Sequence, residues 1–261
     1  MELRFQARQV LNLQQRVSLE LDESLDELKY LTQEYFGVDT EKFKILVKEL
    51  MIEANDPDNF SEEYEYGNFY LKDNVKKLDD SLNLAFDVHK TEIRNSNLPY
   101  IFHAYGVGLI LARLGFPDYV INSGILHDVI ESDNCKQNHI NRMKEIGLNV
   151  YDNVKYVSTK KIKDPNIKDK ELYQRIENRS MVNVSPKILK LADGLVNNYD
   201  LYGMRENDHF SREERMQRFK NVLKKHPLTY AYTIDQLGLI RIKEDDERFL
   251  LKQYFEEKLK N

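Results

Sequence analysis

Residues 121–132 read INSGILHDVIES, and the adjacent pair His127 and Asp128 within that stretch decides how the rest of the chain is read. Pro117 suits the first turn of a helix, and Val120, Ile121, Gly124 and Ile125 supply an apolar or small face leading up to the pair. The pair is therefore expected in mid-helix beside apolar residues, where an unpaired carboxylate is costly. A divalent cation neutralises it well, because imidazole and carboxylate both ligate borderline metals. Glu131, four residues after His127, is expected on the same side of that helix, one turn on, where a base acting on activated water would stand.

An HD pair alone is weak evidence, since a buried, hydrogen-bonded histidine reads the same way. Its context adds His103, near the start of another helix after Pro99, and Asp193, within KILKLADGLVNN. Helices carrying H, then HD, then D can bring two imidazoles and two carboxylates together. Taken separately, Asp193 is equally a surface acid or a salt-bridge partner.

Composition sets the wider bounds. At 261 residues the chain is long enough to bury a substantial core as one domain or two, and 41% hydrophobic with 32% charged residues reads as soluble and globular. A net charge of −5 argues against general nucleic-acid binding. A single cysteine, Cys135, excludes an internal disulfide framework and fits a reducing cytosol. No apolar run of about 18 residues and no signal-peptide pattern is present, so the expectation is a cytoplasmic protein without a membrane span.

Residues 1–74 form an acidic segment expected to be helical. Leu21, Leu25, Leu28 and Leu31 have helical spacing, as do Phe43, Leu46, Val47 and Leu50 after a cap at Asp39 or Thr40. Residues 20–65 hold 15 acidic against 4 basic residues. That face is either a solvated helix surface or a place for a protein partner or a second copy to dock. Val75, Leu78, Leu82, Ala85, Phe86 and Ile93 predict a long helix that carries His89 and leads to Arg94.

Ala104, Gly106 and Gly108 allow close packing of the His103 helix, which ends at Gly115. Two short helices separated near Gly147 follow from Ile140, Met143, Ile146, Val150, Val154 and Val157. Residues 144–190 hold 11 basic against 6 acidic residues, a patch suited to a polyphosphorylated ligand or simply a solvated loop. Ser185 and Pro186 start a helix with Ile188, Leu191, Ala192 and Leu195 buried. Ser211 with Glu214 makes a capping box, residues 228–261 form a helical extension, and His139, His209 and His226 are expected at the surface. No stretch alternates as a strand, so the fold class is all-α.

Four separated runs carry a resemblance. HKTEIRNSNLPYIFHAYGVGLILARLG (residues 89–115), ILHDVIES (125–132), VSTK (157–160) and KILKLADGLVNN (187–198) resemble the HD-domain phosphohydrolases. They are most similar to the branch containing the (p)ppGpp hydrolase half of RelA/SpoT proteins and the small alarmone hydrolases. The resemblance spans residues 82–223 and implies an HD-domain helical bundle over residues 75–227. It implies His103, His127, Asp128 and Asp193 as ligands of a divalent metal, usually manganese. Arg94 would face a substrate phosphate and Asn197 would contact the nucleotide. Thr159 and Lys160 resemble the family's threonine-lysine pair; Lys160 and Lys161 are assigned to phosphate, Glu131 to proton acceptance, and His89 to scaffold.

The chain also departs from that family. The family's HDxxED is HDVIES here, so Ser132 stands where an acid is usual and Asp133 is displaced by one residue. Asn95, Ala104 and Gly194 replace a basic residue, a proline and an arginine; these changes bear on substrate handling more than on the metal. The expected activity is metal-dependent removal of the 3′-diphosphate of (p)ppGpp or a related 3′-phosphorylated nucleotide. The alternatives are an HD phosphohydrolase acting on another nucleotide and a non-enzymatic metal- or nucleotide-binding regulator.

Overall fold

A computed structural model describes residues 19–56, 71–159, 171–172, 174–176, 178, 183 and 185–206. The candidates Lys160 and Lys161, the capping box at Ser211 and Glu214, His209, His226 and the extension 228–261 lie outside the described residues. In order, the helices are α1 (Leu19–Tyr35), α2 (Thr40–Ala54), a 3₁₀ turn (Leu71–Asn74), α3 (Val75–His89), α4 (Tyr100–Arg113), α5 (Asp118–Leu126), α6 (Gln137–Ile146), α7 (Leu148–Val157) and α8 (Ser185–Glu206). The fold is all-α, as the apolar periodicity predicts. Among the described residues the only strand-like pairing is an isolated bridge between Ile93 and Pro99. None of the described helices is long and apolar enough to cross a membrane.

Helix α4 is the packing centre, although the sequence points first to the HD stretch one helix later. Its residues from Ile101 to Ala112 are all buried, because the segment is apolar or small on every side. Helices α1, α2, α3, α5 and α8 all pack on it. From α1, Leu25 and Leu28 are buried; from α2, Phe43 and Val47 are, and the Phe43 ring stacks on Tyr105 at 5.8 Å. Asp39 is the cap of α2, its carboxylate accepting from the Lys42 N–H at 3.0 Å. The acidic N-terminal helices thus share a core with the helix that carries His103.

Helix α4 stops in a Schellman arrangement. The Phe116 N–H donates to the Leu111 carbonyl at 3.1 Å and the Gly115 N–H to Ala112 at 2.9 Å. Gly115 has φ of 71°, the left-handed conformation that glycine adopts without a Cβ clash. Gly108 serves closeness instead: a Cβ there would lie 2.5 Å from Cγ1 of Ile125 in α5 and 3.1 Å from Cε of Met51 in α2. Gly108→Ala should therefore destabilise the protein. Overpacking costs about 1–3 kcal/mol, which outweighs the roughly 1 kcal/mol that alanine gains in helix propensity. Thermal unfolding should show a lower Tm, and an unchanged or raised Tm would contradict this packing.

Two expected helices end earlier than the apolar pattern suggests. Helix α3 ends at His89, and Ile93, read as part of its stripe, is 61% exposed. The chain has already turned: the Arg94 N–H donates to the Leu98 carbonyl at 2.9 Å and the Tyr100 N–H to Glu92 at 2.8 Å. Asn97, with φ of 68°, closes that loop. Helix α5 ends at Leu126, so His127 and Asp128 are not in mid-helix but open a run of turns. His139, expected at the surface, is buried in the first turn of α6, where its Nδ1 accepts from the Lys136 N–H at 3.1 Å. Helices α6 and α7 divide at Gly147 as predicted.

Candidate metal centre

Three segments deliver the site. His103 lies in the first turns of α4, His127 and Asp128 follow α5, and Asp193 lies on α8. The Nε2 atoms of His103 and His127 face each other at 3.2 Å. Asp193 Oδ1 is 3.2 Å from the first and 3.7 Å from the second; Asp128 Oδ2 is 3.5 Å and 3.1 Å from them. His103, His127 and Asp193 are buried, and the Asp128 side chain is 21% exposed. All four residues expected to be ligands are therefore brought together.

The end of α5 explains the orientation of His127. Its Nδ1–H donates to the Gly124 carbonyl at 2.8 Å, which fixes the tautomer and leaves Nε2 for the cluster. The same carbonyl accepts the His127 backbone N–H at 3.5 Å, and the following bonds are short-range: Val129 N–H to Leu126 at 3.0 Å and Glu131 N–H to Asp128 at 2.9 Å. A side chain has entered the helical hydrogen-bond ladder, and the helix gives way to tighter turns. That places the acid after His127 against the imidazoles.

Further contacts hold the carboxylates. The Tyr100 hydroxyl donates to Asp128 Oδ2 at 2.5 Å. Burial and the Asp128 charge push its phenol well above its ordinary value, so it remains a neutral donor. Asp193 Oδ1 accepts from Asn197 Nδ2 at 2.6 Å, and Lys190 Nζ pairs with Oδ2. The Asn197 carbonyl oxygen accepts from Arg94 Nη2 at 2.7 Å, and the Arg94 guanidinium lies 5.3 Å from the centre of the Tyr100 ring.

The electrostatics follow from this enclosure. Burial would raise both carboxyls, but His127 and His103 hold Asp128 well below the usual range, and Lys190 with the two imidazoles does the same for Asp193. Burial would lower His127, yet Asp128 and Asp193 push it up to about 10. Without a cation the two carboxylates thus favour a second proton on His127, at Nε2. A divalent cation would displace it, since ligation needs neutral imidazole. Paired imidazole nitrogens with carboxylates around them are a fitting donor set for a borderline divalent ion.

No family model matches this chain. Similarity to individual proteins is clear. A guanosine-3′,5′-bis(diphosphate) 3′-pyrophosphohydrolase of Borreliella burgdorferi is 28% identical over 174 residues, covering 64% of this chain and 24% of that protein. The bifunctional (p)ppGpp synthase/hydrolase SpoT of Escherichia coli is 29% identical over 127 residues, 47% of this chain and 18% of its own. A further 3′-pyrophosphohydrolase, of Aquifex aeolicus, is 26% identical over 174 residues, 66% of this chain and 23% of its own. The chain is related to the RelA/SpoT-type hydrolases. It spans less than a quarter of the length of these curated relatives.

The remaining expected residues divide. Arg94 and Asn197 reach the cluster through Asp193, as described. Glu131 stands one tight turn beyond Asp128, its N–H donating to the Asp128 carbonyl at 2.9 Å, and not one α-helical turn beyond His127, because the helix has ended. Its Oε1 instead accepts the Thr159 N–H at 2.5 Å and the Thr159 hydroxyl at 2.9 Å, binding it to the residue that precedes Lys160. Asp133 is exposed, in keeping with its displaced position. Three side chains were missed by the sequence reading: Tyr100, Lys190 and Glu92. Tyr100 and Lys190 each precede a ligand by three residues on its own helix, a spacing that would have found them. Glu92 lies in irregular chain and gives no periodic signal.

Proposed function

We propose that this protein is a metal-dependent phosphohydrolase that removes the 3′-diphosphate of (p)ppGpp or a related 3′-phosphorylated nucleotide. The observation that carries the reading is the buried group of His103, His127 and Asp193, with Asp128 Oδ2 3.5 and 3.1 Å from the two imidazole nitrogens. Relatives bearing 3′-pyrophosphohydrolase names support the substrate class. His103, His127, Asp128 and Asp193 would hold a divalent ion, manganese by family resemblance. When bound, it supplies acidification of water and polarisation of a phosphoryl oxygen.

The chain's own groups do the rest. Arg94, oriented by Asn197 and stacked on Tyr100, presents a guanidinium fork suited to gripping phosphate oxygens. Lys160 and Lys161, following Thr159, add positive charge for the same phosphates. Tyr100 holds Asp128 in place as a neutral donor. Glu131, anchored by Thr159, accepts the proton of the attacking water. A P–O bond forms from that water, the bond to the ribose 3′-oxygen breaks, and the 3′-oxygen takes a proton from solvent. Pyrophosphate and a nucleotide with a free 3′-hydroxyl leave.

The test is hydrolysis of ppGpp, GTP, dGTP and NADPH by purified protein with Mn²⁺, using Asp128→Ala as control. Pyrophosphate release from ppGpp that disappears in the variant is the expected result. Turnover of another nucleotide in its place, or none from protein that retains Mn²⁺, overturns the reading.

A further inference from the structure

Next to the metal cluster, donors from two segments meet on the carboxylate of Glu92. Its Oε2 accepts from His89 Nδ1 at 2.9 Å. Its Oε1 accepts from the Ser132 hydroxyl at 2.5 Å and from Asn134 Nδ2 at 3.2 Å. His89 closes α3, while Ser132 and Asn134 belong to the turns that follow Asp128. Ser132 Oγ also accepts the Asn134 N–H at 3.1 Å, which orients its own proton toward Glu92. An O–H donor this close to a carboxylate is in the charge-assisted range of about 2.5–2.7 Å.

The carboxylate is ionised. The hydrogen bond from His89 holds it below the usual range against the effect of burial, the Ser132 hydroxyl helps, and the charge of Asp128 opposes. Glu92 is therefore within electrostatic reach of a ligand. Tyr100 ties it there from the other side: its N–H donates to the Glu92 carbonyl, its ring stacks on His89 at 4.8 Å, and its hydroxyl holds Asp128.

We propose that Glu92 and Ser132 are a transposed pair: Glu92 brings to the turn after Asp128, from across the fold, the negative charge that position 132 lacks. One of the two positions carries a carboxylate and the other a neutral hydrogen-bonding group. Acids at both would face each other at hydrogen-bond distance and repel. Neutral groups at both would leave the donors of His89 and Asn134 without their anion. Glu92 is thus a positioning residue. Acting through Ser132, it fixes the turn on which Asp128 and Glu131 stand.

The activity readout rests on the hydrolase reading, so the test has a second readout that does not. Full-length wild type, Glu92→Gln, Ser132→Asp and the double variant are compared with Mn²⁺ bound. Measurements are ppGpp turnover across acid to neutral pH, Mn²⁺ stoichiometry and thermal unfolding. Each single variant should lose about 10–100-fold in kcat while still binding Mn²⁺. The double should return to within about threefold of wild type, with the acid limb of its pH profile displaced. Should Ser132→Asp fail to fold alone, its folding in the Glu92→Gln background is the same rescue.

A Glu92→Gln protein with wild-type kcat, or a double variant as slow as the product of the singles, overturns the proposal. If wild type releases nothing from ppGpp, the hydrolase reading fails and unfolding decides. A restored Tm in the double then supports the transposition, and a Tm below both singles overturns it.

Discussion

Replacing Asp193 with alanine is expected to lower Mn²⁺-dependent turnover by at least about 10³-fold, the several kcal/mol that a lost metal site would forfeit in transition-state stabilisation. The residue has four partners: it faces both imidazoles, accepts from Asn197 and pairs with Lys190. Its loss also removes the carboxylate paired with a largely buried cation, the Lys190 side chain being only 13% exposed. Removing one member of a buried pair costs about 3–5 kcal/mol, so Asp193→Ala should unfold at lower temperature as well. The two effects separate in Asp193→Ala/Lys190→Met. Removing the buried charge of Lys190 should recover much of the Tm and none of the activity. Turnover within tenfold of wild type in Asp193→Ala would exclude this aspartate from the metal centre.

Arg94→Ala is expected to lower kcat/KM by about 10²-fold, the usual cost of removing one donor aimed at developing phosphoryl charge. Mn²⁺ binding should survive, since Arg94 hydrogen-bonds Asn197, which in turn holds Asp193. Arg94→Lys should recover little of the loss. An ammonium cannot both meet the Asn197 oxygen and present a planar fork to phosphate. A lysine variant with wild-type kinetics, or a loss that follows metal occupancy, would assign Arg94 to scaffold and remove it from substrate binding.

Read by itself, the HD pair is equally a hydrogen-bonded histidine, and Asp193 is equally a surface acid. It is the family resemblance that groups His103, His127, Asp128 and Asp193, and the fold sets the four side by side. The all-α class followed from periodic positions such as Leu78, Leu82 and Ala85, which are buried as expected. Helix ends were harder to read. Val129 and Ile130 continue an apolar face past Leu126, so nothing in the pattern reveals that the His127 side chain takes the Gly124 carbonyl and ends the helix. Ile93 has the spacing of the α3 stripe, but the bridge to Pro99 decides its place. Glu92 shows the same limit: its partners are distant in sequence, and only the fold brings Ser132 to it. The loss of an acid at position 132 is visible in the sequence, whereas the neighbour that answers it is not.

Helix α4, enclosed on all sides, has a consequence for how the site comes apart. Amides in such a segment exchange with solvent only when the whole domain opens, whereas short-range turns open locally and often. His103 belongs to the first kind of structure, and His127 and Asp128 stand where the second begins. The centre therefore joins a half that opens only with the domain to a half held by short-range turns and the hydrogen bonds of Glu92. A cation could enter or leave by brief opening of the turns after Leu126 while the core stays shut. Exchange rates in the metal-free protein should be graded accordingly, slowest along α4 and fastest just beyond Asp128.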